Sequence, residues 1–275
     1  MTPNLKGRTA LVTGASSGLG VDFARELARR GADLILVARR EDQLKAVADE
    51  LVKAHGVAVD VIAMDLGQAD APAKLFARTQ KMKRNVDVLV NNAGFGIFGD
   101  FLEIPWEREN EMLQLDIVTV VHLTKLFVKP MVERNFGFIL QVASIGAYQP
   151  TPTYATYSAA KSFVLSFGEA LNYELRNTNV KVSVLSPGIT ATEFLKVSGQ
   201  KTTAYQKMMM MTSEDVYRIG IEAMLKGTPS VVPGLMNAVS AWGNRLMPRR
   251  LSAAVAYQVM KSDRHTEFTP RKPAR

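Results

Sequence analysis

The stretch TGASSGLG, residues 13–20, decides the fold because it joins a short apolar run at residues 8–13 to an amphipathic stretch near residues 18–30. Glycines at such a junction permit a tight turn and let the backbone approach a pyrophosphate, which then lies against the positive end of the helix dipole. Glycines also end strands for purely local reasons. The strand before and the helix after therefore carry the interpretation as a nucleotide-binding turn.

Strand and helix patterns alternate along most of the chain. Strands are predicted near residues 8–13, 33–38, 58–63, 86–90, 136–143, 180–186 and 229–232, and helices near 18–30, 41–54, 69–82, 105–133, 155–177 and 213–226. Several strands read as nearly continuous apolar runs, which is typical of strands buried on both faces. The order predicts an α/β protein with a single doubly wound parallel sheet of about seven strands, flanked by helices on both faces.

The composition is that of an ordinary globular protein. Of 275 residues, 47% are hydrophobic and 22% charged, which excludes disordered, collagen-like and coiled-coil classes. The chain has no cysteine, which excludes disulfides, thiolate nucleophiles and iron–sulfur clusters. Its three histidines show no ligand spacing, so we expect no metal site. We find no signal-peptide core and no apolar run of roughly 18–20 residues, and expect a cytoplasmic protein.

The formal net charge of +8 is concentrated at the C-terminus. Residues 245–275 hold eight Lys or Arg against two acidic residues, a net of +6, which leaves +2 for residues 1–244. The main body therefore has no excess large enough for a surface that follows phosphates, and the tail holds no nucleic-acid motif. We expect no nucleic-acid partner.

Three residues could carry acid–base chemistry. Tyr157 and Lys161 are four residues apart on a predicted helix and project from one face. A tyrosine hydroxyl has a pKa of about 10, and a neighbouring ammonium lowers that pKa by favouring the phenolate. Ser144 lies at the carboxyl end of a predicted strand, where ligands bind in open α/β sheets. Alternatively, the first two side chains only pack their stems, and Ser144 is a cap or turn residue.

Together these motifs resemble the short-chain dehydrogenase/reductase family over about residues 7–192. The matched motifs are TGxxxGxG at residues 13–20, NNAG at 91–94, a serine thirteen residues before YxxxK at 144 and 157–161, and Pro-Gly followed by threonines at 187–192. The resemblance implies a Rossmann-type fold. It also implies hydride transfer between a nicotinamide cofactor and a carbonyl or secondary alcohol.

The resemblance implies a role for each site residue. Tyr157 would exchange a proton with the substrate oxygen, and Ser144 would hold that oxygen by a hydrogen bond. Lys161 would lower the Tyr157 pKa and bind the nicotinamide ribose. Asp65, followed by Leu66, would contact the adenine ring. The expected cofactor-binding residues are Gly14, Ser16, Ser17, Gly18, Leu19, Gly20, Arg39, Asp65, Leu66, Asn92, Ala93, Gly94, Tyr157, Lys161, Pro187, Gly188, Thr190 and Thr192.

Arg39 favours NADP(H) over NAD(H). NAD-specific relatives end strand two with an acidic residue that binds the ribose 2′-hydroxyl, whereas this chain has Val-Ala-Arg-Arg at residues 37–40. The missing carboxylate removes a repulsion, and the Arg39 guanidinium suits a 2′-phosphate. In the alternative, both arginines are simply solvated.

Asp116 departs from the family pattern. Relatives usually carry an asparagine there, which is thought to anchor a water leading to Lys161. An ionised carboxylate would partly cancel the effect of Lys161 and hold the Tyr157 pKa higher. Alternatively, the backbone carbonyl does the anchoring and the aspartate is tolerated. We expect tolerance with a pH optimum moved upward, and place Asp116 beside Ser144, Tyr157 and Lys161 among the catalytic residues.

The remainder of the chain divides into a substrate loop, an extension and a tail. Within a catalytic domain at residues 1–233, the variable loop 189–212 ends in a methionine run at 208–211 that could cover an apolar substrate or fill core gaps. An amphipathic extension at 234–262 packs on the domain, a partner subunit or, through residues 235–260, an anionic membrane. The basic tail at 263–275 is expected to be disordered.

The sequence therefore predicts an NADP(H)-dependent oxidoreductase acting on CH–OH groups, a carbonyl reductase that runs in reverse as an alcohol dehydrogenase. Its small-molecule substrate is expected to be apolar and moderately bulky, such as a ketone, a 3-oxoacyl compound or a steroid. The family usually forms oligomers, so a homodimer or homotetramer is expected. The rival is a catalytically weak NADP(H)-binding regulatory protein, which Asp116 supports and the intact Ser144, Tyr157 and Lys161 oppose.

Overall fold

The computed structural model describes residues 4–188 and 210–260. The strands are β1 (Thr9–Thr13), β2 (Asp33–Ala38), β3 (Val59–Ala63), β4 (Val86–Asn91), β5 (Gly137–Val142), β6 (Val180–Leu185) and β7 (Ser230–Val231). They form one seven-stranded sheet in the order β3-β2-β1-β4-β5-β6-β7, and every pair is parallel. The prediction of a doubly wound parallel sheet is confirmed.

Helices cover both faces of the sheet. They are α1 (Leu19–Arg29), α2 (Glu41–His55), α3 (Ala71–Lys81), α4 (Trp106–Leu113), α5 (Val120–Glu133), α6 (Ala155–Glu174), α7 (Ser213–Lys226), α8 (Leu235–Gly243) and α9 (Arg249–Met260). Helices α1, α2 and α7 pack their apolar stripes on one face around Phe23, and α3 and α5 pack on the other around Phe127. Within the two described ranges, none of the helices is long and apolar enough to cross a membrane.

The strand order changes direction at β1, which pairs with β2 on one side and β4 on the other. Such a change opens a crevice at the carboxyl ends of the two central strands, because the connections leave in opposite directions. The glycine-rich turn follows β1 and the NNAG motif begins at the last residue of β4. The topology therefore brings the two motifs together.

The helix predicted near residues 105–133 is not uniform. Between α4 and α5, the segment Gln114–Thr119 is a π-helix, in which each backbone N–H reaches back five residues instead of four. The Thr119 hydroxyl donates a 2.7 Å hydrogen bond to Leu66 O and ties this segment to the loop after β3. Asp116 lies inside the π-helix. The extra residue in the turn changes the direction of its side chain relative to a regular helix.

Candidate active site

A cleft of about 660 Å³ runs along the carboxyl ends of the strands. The predicted site residues that line it are Gly14, Ser16, Ser17, Gly18, Leu19, Arg39, Asp65, Leu66, Asn92, Ala93, Gly94, Ser144, Tyr157, Lys161, Pro187 and Gly188. Gly20 and Asp116 do not line the cleft, and each supports a lining residue from behind. The expected contacts of Thr190 and Thr192 lie outside the described residues.

The glycine-rich turn needs its glycines for two separate reasons. Gly14 and Gly18 have φ values of +68° and +55°, a region that L side chains rarely adopt. Gly20 packs directly on the Gly14 carbonyl, and a Cβ there would overlap it. At Gly14 and Gly18 the backbone of the turn therefore faces the cleft without a side chain, directly before the N-terminus of α1 at Leu19.

Thr13 joins the two central strands at the base of the cleft. Its hydroxyl donates to Val90 O at 3.1 Å and accepts from the backbone N–H groups of Asn92 and Ala93, each at 2.9 Å. The Asn92 side chain returns a 2.9 Å hydrogen bond to Thr13 O. Thr13 is the first residue of the TGxxxGxG motif and is not among the expected site residues. Its place directly before the first glycine is the signal that could have identified it.

Arg39 and Arg40 both line the outer end of the cleft. Arg40 reaches back to the glycine-rich turn, where its Nη2 donates to Ser17 Oγ at 2.7 Å and to Ser16 Oγ at 3.2 Å. Arg39 follows directly after β2, at the position expected to meet a ribose 2′-substituent. The sequence predicts this role for Arg39 alone. The structure shows that Arg40, the next residue, also lines the cleft.

Asp65 shapes the loop after β3. Its carboxylate accepts hydrogen bonds from Gly67 N at 3.0 Å and from the Gln68 side chain at 3.4 Å. These bonds hold a turn that presents Asp65 and Leu66 to the cleft.

Ser144 and Tyr157 meet at the inner end of the cleft. Ser144 precedes the 3₁₀ turn Ile145–Tyr148, and its Oγ accepts a 3.1 Å hydrogen bond from Gly146 N. This contact leaves the hydroxyl proton for the side-chain hydrogen bond that Ser144 shares with Tyr157. Ser144 is thus both the cap expected in the alternative interpretation and a neighbour of the candidate acid.

Lys161 lies one helical turn after Tyr157 and is buried with it. Its Nζ lies 5.6 Å from the centre of the Tyr157 ring and donates to Val142 O at 3.3 Å. The same ammonium lies 2.9 Å from Asp116 Oδ2 and forms an ion pair with it. Asp116, which departs from the family pattern, therefore contacts Lys161 directly.

Asp116 is fully buried, and its surroundings constrain it from two sides. Its Oδ1 accepts a 3.1 Å hydrogen bond from Phe95 N. A Cβ added to Gly94 would lie only 2.8 Å from the same oxygen, so the NNAG glycine leaves room for the carboxylate. Burial raises the pKa of Asp116, and the Lys161 ammonium opposes that rise.

The pKa of Tyr157 is raised above its ordinary value of 10.0. Burial is the larger cause and the negative charge of Asp116 is the second, while the hydrogen bond with Ser144 acts in the opposite direction. The ammonium that is expected to lower this pKa is paired with the Asp116 carboxylate, and the lowering itself stays a prediction. The related expectation, that Asp116 holds the Tyr157 pKa higher, agrees with the structure.

Aromatic residues not expected from the sequence border the inner cleft. The Tyr154 ring lies 5.6 Å from the Tyr157 ring and 5.3 Å from the Phe98 ring, centre to centre. Gly99 N donates a 2.9 Å hydrogen bond to Thr153 O and joins the loops that carry these rings. The cleft is further lined by Phe95, Arg108, Glu111, Leu115, Thr151, Tyr154 and Met260. Phe95, Thr151 and Tyr154 come from loops, Arg108 and Glu111 from α4, Leu115 from the π-helix and Met260 from α9, so no shared sequence motif identified them.

Comparison with protein families and curated proteins gives one consistent result. Residues 8–203 match the model of the short chain dehydrogenase family. An uncharacterized oxidoreductase of Myxococcus xanthus is 32% identical over 90% of this chain and 96% of its own length. The mouse 17-beta-hydroxysteroid dehydrogenase type 3 is 31% identical over 79% of this chain and 71% of its own. The mouse very-long-chain 3-oxoacyl-CoA reductase is 29% identical over 97% and 84%.

Solved structures agree. A 7beta-hydroxysteroid dehydrogenase superposes with a TM-score of 0.84 at 25% identity, covering 93% of this chain and 99% of its own. A short-chain dehydrogenase from Sphingobium yanoikuyae in complex with NADPH gives a TM-score of 0.79 at 28% identity, covering 96% and 99%. The similarity thus extends through nearly the whole length of both proteins.

Proposed function

The chain belongs to the short-chain dehydrogenase family of oxidoreductases acting on CH–OH groups, and we propose that it transfers a hydride between NADP(H) and an apolar ketone or secondary alcohol. The observation that carries the proposal is the meeting of Ser144, Tyr157 and Lys161 at the inner end of the cleft. Opposite them, the cleft ends at two arginines beside a glycine-rich turn. A proton donor and an anion-binding end thus share one cavity.

The residues of the cleft fit a dinucleotide phosphate. The backbone at Gly14 and Gly18, which has no side chains and lies at the start of α1, suits a pyrophosphate. Arg39 and Arg40 place two positive charges where a 2′-phosphate would lie. At the position directly after Ala38, where an acidic residue would repel that phosphate, this chain has Arg39. A related structure contains NADPH, which supports the choice of cofactor.

NADPH, when bound, would supply the hydride, and this chain would supply the proton. A phenol of ordinary pKa is protonated at neutral pH, and burial and Asp116 raise the pKa of Tyr157 further, so its hydroxyl can donate to a carbonyl oxygen. Ser144, fixed by Gly146 N, would turn its hydroxyl proton from Tyr157 to that oxygen and donate a second hydrogen bond. In the reverse direction, the Tyr157 phenolate would accept the proton of an alcohol.

The walls of the inner cleft support an apolar substrate. Tyr154 and Phe95 line it beside Tyr157, and Phe98 packs behind Tyr154. Aromatic walls favour bulky apolar ligands over small polar ones, and the charged side chains of Arg108 and Glu111 also line the cleft. Relatives that act on steroids and on very-long-chain 3-oxoacyl-CoA support the same substrate class. We therefore propose a bulky ketone, a 3-oxoacyl compound or a steroid.

The second candidate is a cofactor-binding regulatory protein with weak turnover. The ion pair between Asp116 and Lys161 favours it, because a neutralised lysine stabilises the Tyr157 phenolate less.

The oligomeric state and the cytoplasmic location stay predictions. A homodimer or homotetramer is supported by the common behaviour of the family and by the stacked pair Phe163 and Phe167 on α6, where 43% of Phe163 is exposed.

The test is consumption of NADPH, and separately of NADH, with ketones that range from small aldehydes through steroids to 3-oxoacyl thioesters. We expect turnover with NADPH on bulky apolar ketones and its loss in Tyr157→Phe. The matched control is Tyr173→Phe, since Tyr173 is 67% exposed on the same helix. Tight NADPH binding in native protein without turnover on any ketone would favour the regulatory protein.

A further inference from the structure

Helices α8 and α9 turn their large apolar side chains away from the protein. On the inner side they bury small or polar residues, namely Asn237, Ala241, Ser252 and Ala256. On the outer side the exposed fractions are 80% for Leu235, 58% for Val239, 62% for Trp242, 73% for Leu246, 53% for Leu251 and 47% for Val255. We call these six residues the outer face. An amphipathic helix that packs on its own domain shows the opposite arrangement.

Polar contacts fix both helices on the domain in this orientation. Asn244 donates to Gln149 Oε1 at 2.6 Å and accepts from Ser252 Oγ at 2.8 Å, so it links α9 to the loop that follows the 3₁₀ turn. Asn237 packs on Gly188 at the cleft. The inner side therefore has its partners within the domain. Exposed apolar area of this kind marks an interaction surface.

The charge around the outer face identifies the class of partner. Arg245, Arg249 and Arg250 are exposed in and beside the turn between the helices. Residues 235–260 contain no acidic residue, and residues 261–275 continue the chain with a further net charge of +3. A second copy bound through the same surface would place arginines opposite arginines with no acid between them. An anionic lipid surface would neutralise the arginines and take up the apolar side chains.

We propose that the outer face of α8 and α9 docks peripherally on an anionic membrane. Trp242 suits the headgroup boundary because its ring is apolar and its N–H is polar. Met260, at the end of α9, lines the cleft, so docking would place the cleft entrance beside the lipid. An apolar substrate could then enter directly from the bilayer. The docking itself does not depend on catalysis.

Co-sedimentation of the full chain with vesicles tests the proposal. We expect binding to phosphatidylcholine vesicles that contain phosphatidylserine and little binding to pure phosphatidylcholine. The variant R245Q/R249Q/R250Q should lose binding by roughly a hundredfold, at about fivefold for each arginine. The matched control K45Q/K74Q/R218Q removes three exposed positive charges elsewhere and should bind within a few-fold of the native chain.

The apolar contribution has its own readout because the chain has two tryptophans. Trp106 and Trp242 are 65% and 62% exposed. With anionic vesicles, Trp106→Phe protein should still shift its emission to shorter wavelength, whereas Trp242→Phe protein should not. Leu246→Ser should weaken binding more than Leu102→Ser, at a leucine 77% exposed outside the outer face.

Three results would overturn the proposal. The first is equal binding to vesicles with and without phosphatidylserine, and the second is unchanged binding of the triple arginine variant. The third is an absence of vesicle binding together with a native oligomer that dissociates when Trp242 is replaced by serine, which would assign the outer face to a second copy. None of these measurements requires turnover, so a failed assay for ketone reduction leaves the test intact.

Discussion

Asp116 Oδ2 and Lys161 Nζ lie 2.9 Å apart, where 0% of the aspartate side chain and 7% of the lysine side chain are exposed. Burial strengthens the attraction between the charges and also makes both charges costly. The ion pair holds Lys161 near the Tyr157 ring. It also leaves less of the lysine's positive charge to stabilise a Tyr157 phenolate. The raised pKa of Tyr157 depends on its burial and on the charge of Asp116, the residue with which Lys161 is paired.

Asp116→Asn should move the pH profile to lower pH. The carboxylate disfavours the Tyr157 phenolate, so its removal lowers the Tyr157 pKa. Ketone reduction needs the phenol and should then decline at lower pH than in the native enzyme. Alcohol oxidation needs the phenolate and should begin at lower pH. Rates measured across pH in both directions check this, and superimposable profiles would exclude the electrostatic effect.

Gly94→Ala should impair catalysis through Asp116. The new methyl group would lie 2.8 Å from Asp116 Oδ1, so the carboxylate must move from Lys161 and from Phe95 N. We expect kcat/KM to fall about tenfold or more, since misplaced catalytic groups are costly. Gly99→Ala is the control, because a Cβ there meets only Ile104 at 3.5 Å, an ordinary contact. Equal activity of the two variants, with equal Tm, would contradict the role of Gly94.

Arg39→Ala should reduce discrimination between NADPH and NADH. A charge-assisted hydrogen bond to a phosphate contributes about 1.5–3 kcal/mol, so kcat/KM with NADPH should fall roughly tenfold to a hundredfold while that with NADH changes little. Arg40→Ala also releases Ser16 and Ser17 and should weaken both cofactors. Steady-state kinetics with each cofactor separates the variants. Unchanged preference in Arg39→Ala would assign the phosphate to Arg40.

Glu26→Gln should destabilise the fold. Glu26 is 4% exposed and accepts hydrogen bonds from Arg29 and Arg30, and Arg30 continues to Glu222 on α7. Burial alone would raise the pKa of Glu26, but the two arginines outweigh it and lower that pKa below 4.5. We expect a loss of about 2 kcal/mol in the free energy of unfolding at neutral pH.

The same change gives a pH test. Because the folded-state pKa of Glu26 is lowered, its stabilisation is present above the ordinary value of 4.5 and is lost as pH falls through the folded value. The stability difference between native protein and Glu26→Gln should therefore shrink in acid. Glu50→Gln, which breaks an exposed pair with Arg25, should cost under about 1 kcal/mol. Urea unfolding of the three proteins across pH measures both effects.

The sequence was sufficient for the parallel sheet because its strands are buried on both faces and read as apolar runs, as β4 does. It was sufficient to assign Gly14 and Asn92 to one cofactor site because the motifs that contain them resemble those of a known family. It was not sufficient for the Tyr157 pKa. That value depends on how deeply Tyr157 and Asp116 are buried, and burial arises from packing between distant segments.

The periodicity of apolar residues could not predict two other features. The π-helix at Gln114–Thr119 has the composition of an ordinary helix, so only its hydrogen bonding distinguishes it. The apolar positions of α8 and α9 predicted an amphipathic segment and left open which side faces the domain. Ala241 and Ala256 pack inward while Trp242 points outward. Small residues allow a close fit to the domain, which a count of apolar residues does not show.

The hydrogen bonds between Thr13 and the end of β4 also affect the order in which the protein can fold during synthesis. The hydroxyl of Thr13 needs the backbone of Asn92 and Ala93, 79 and 80 residues later in the chain. A nascent chain of which only β1, α1, β2 and α2 have left the ribosome contains the whole glycine-rich turn. It still lacks β4 and the two residues that Thr13 binds. Coenzyme binding by a nascent chain should therefore begin only after β4 has emerged from the exit tunnel, when β1 can pair with it.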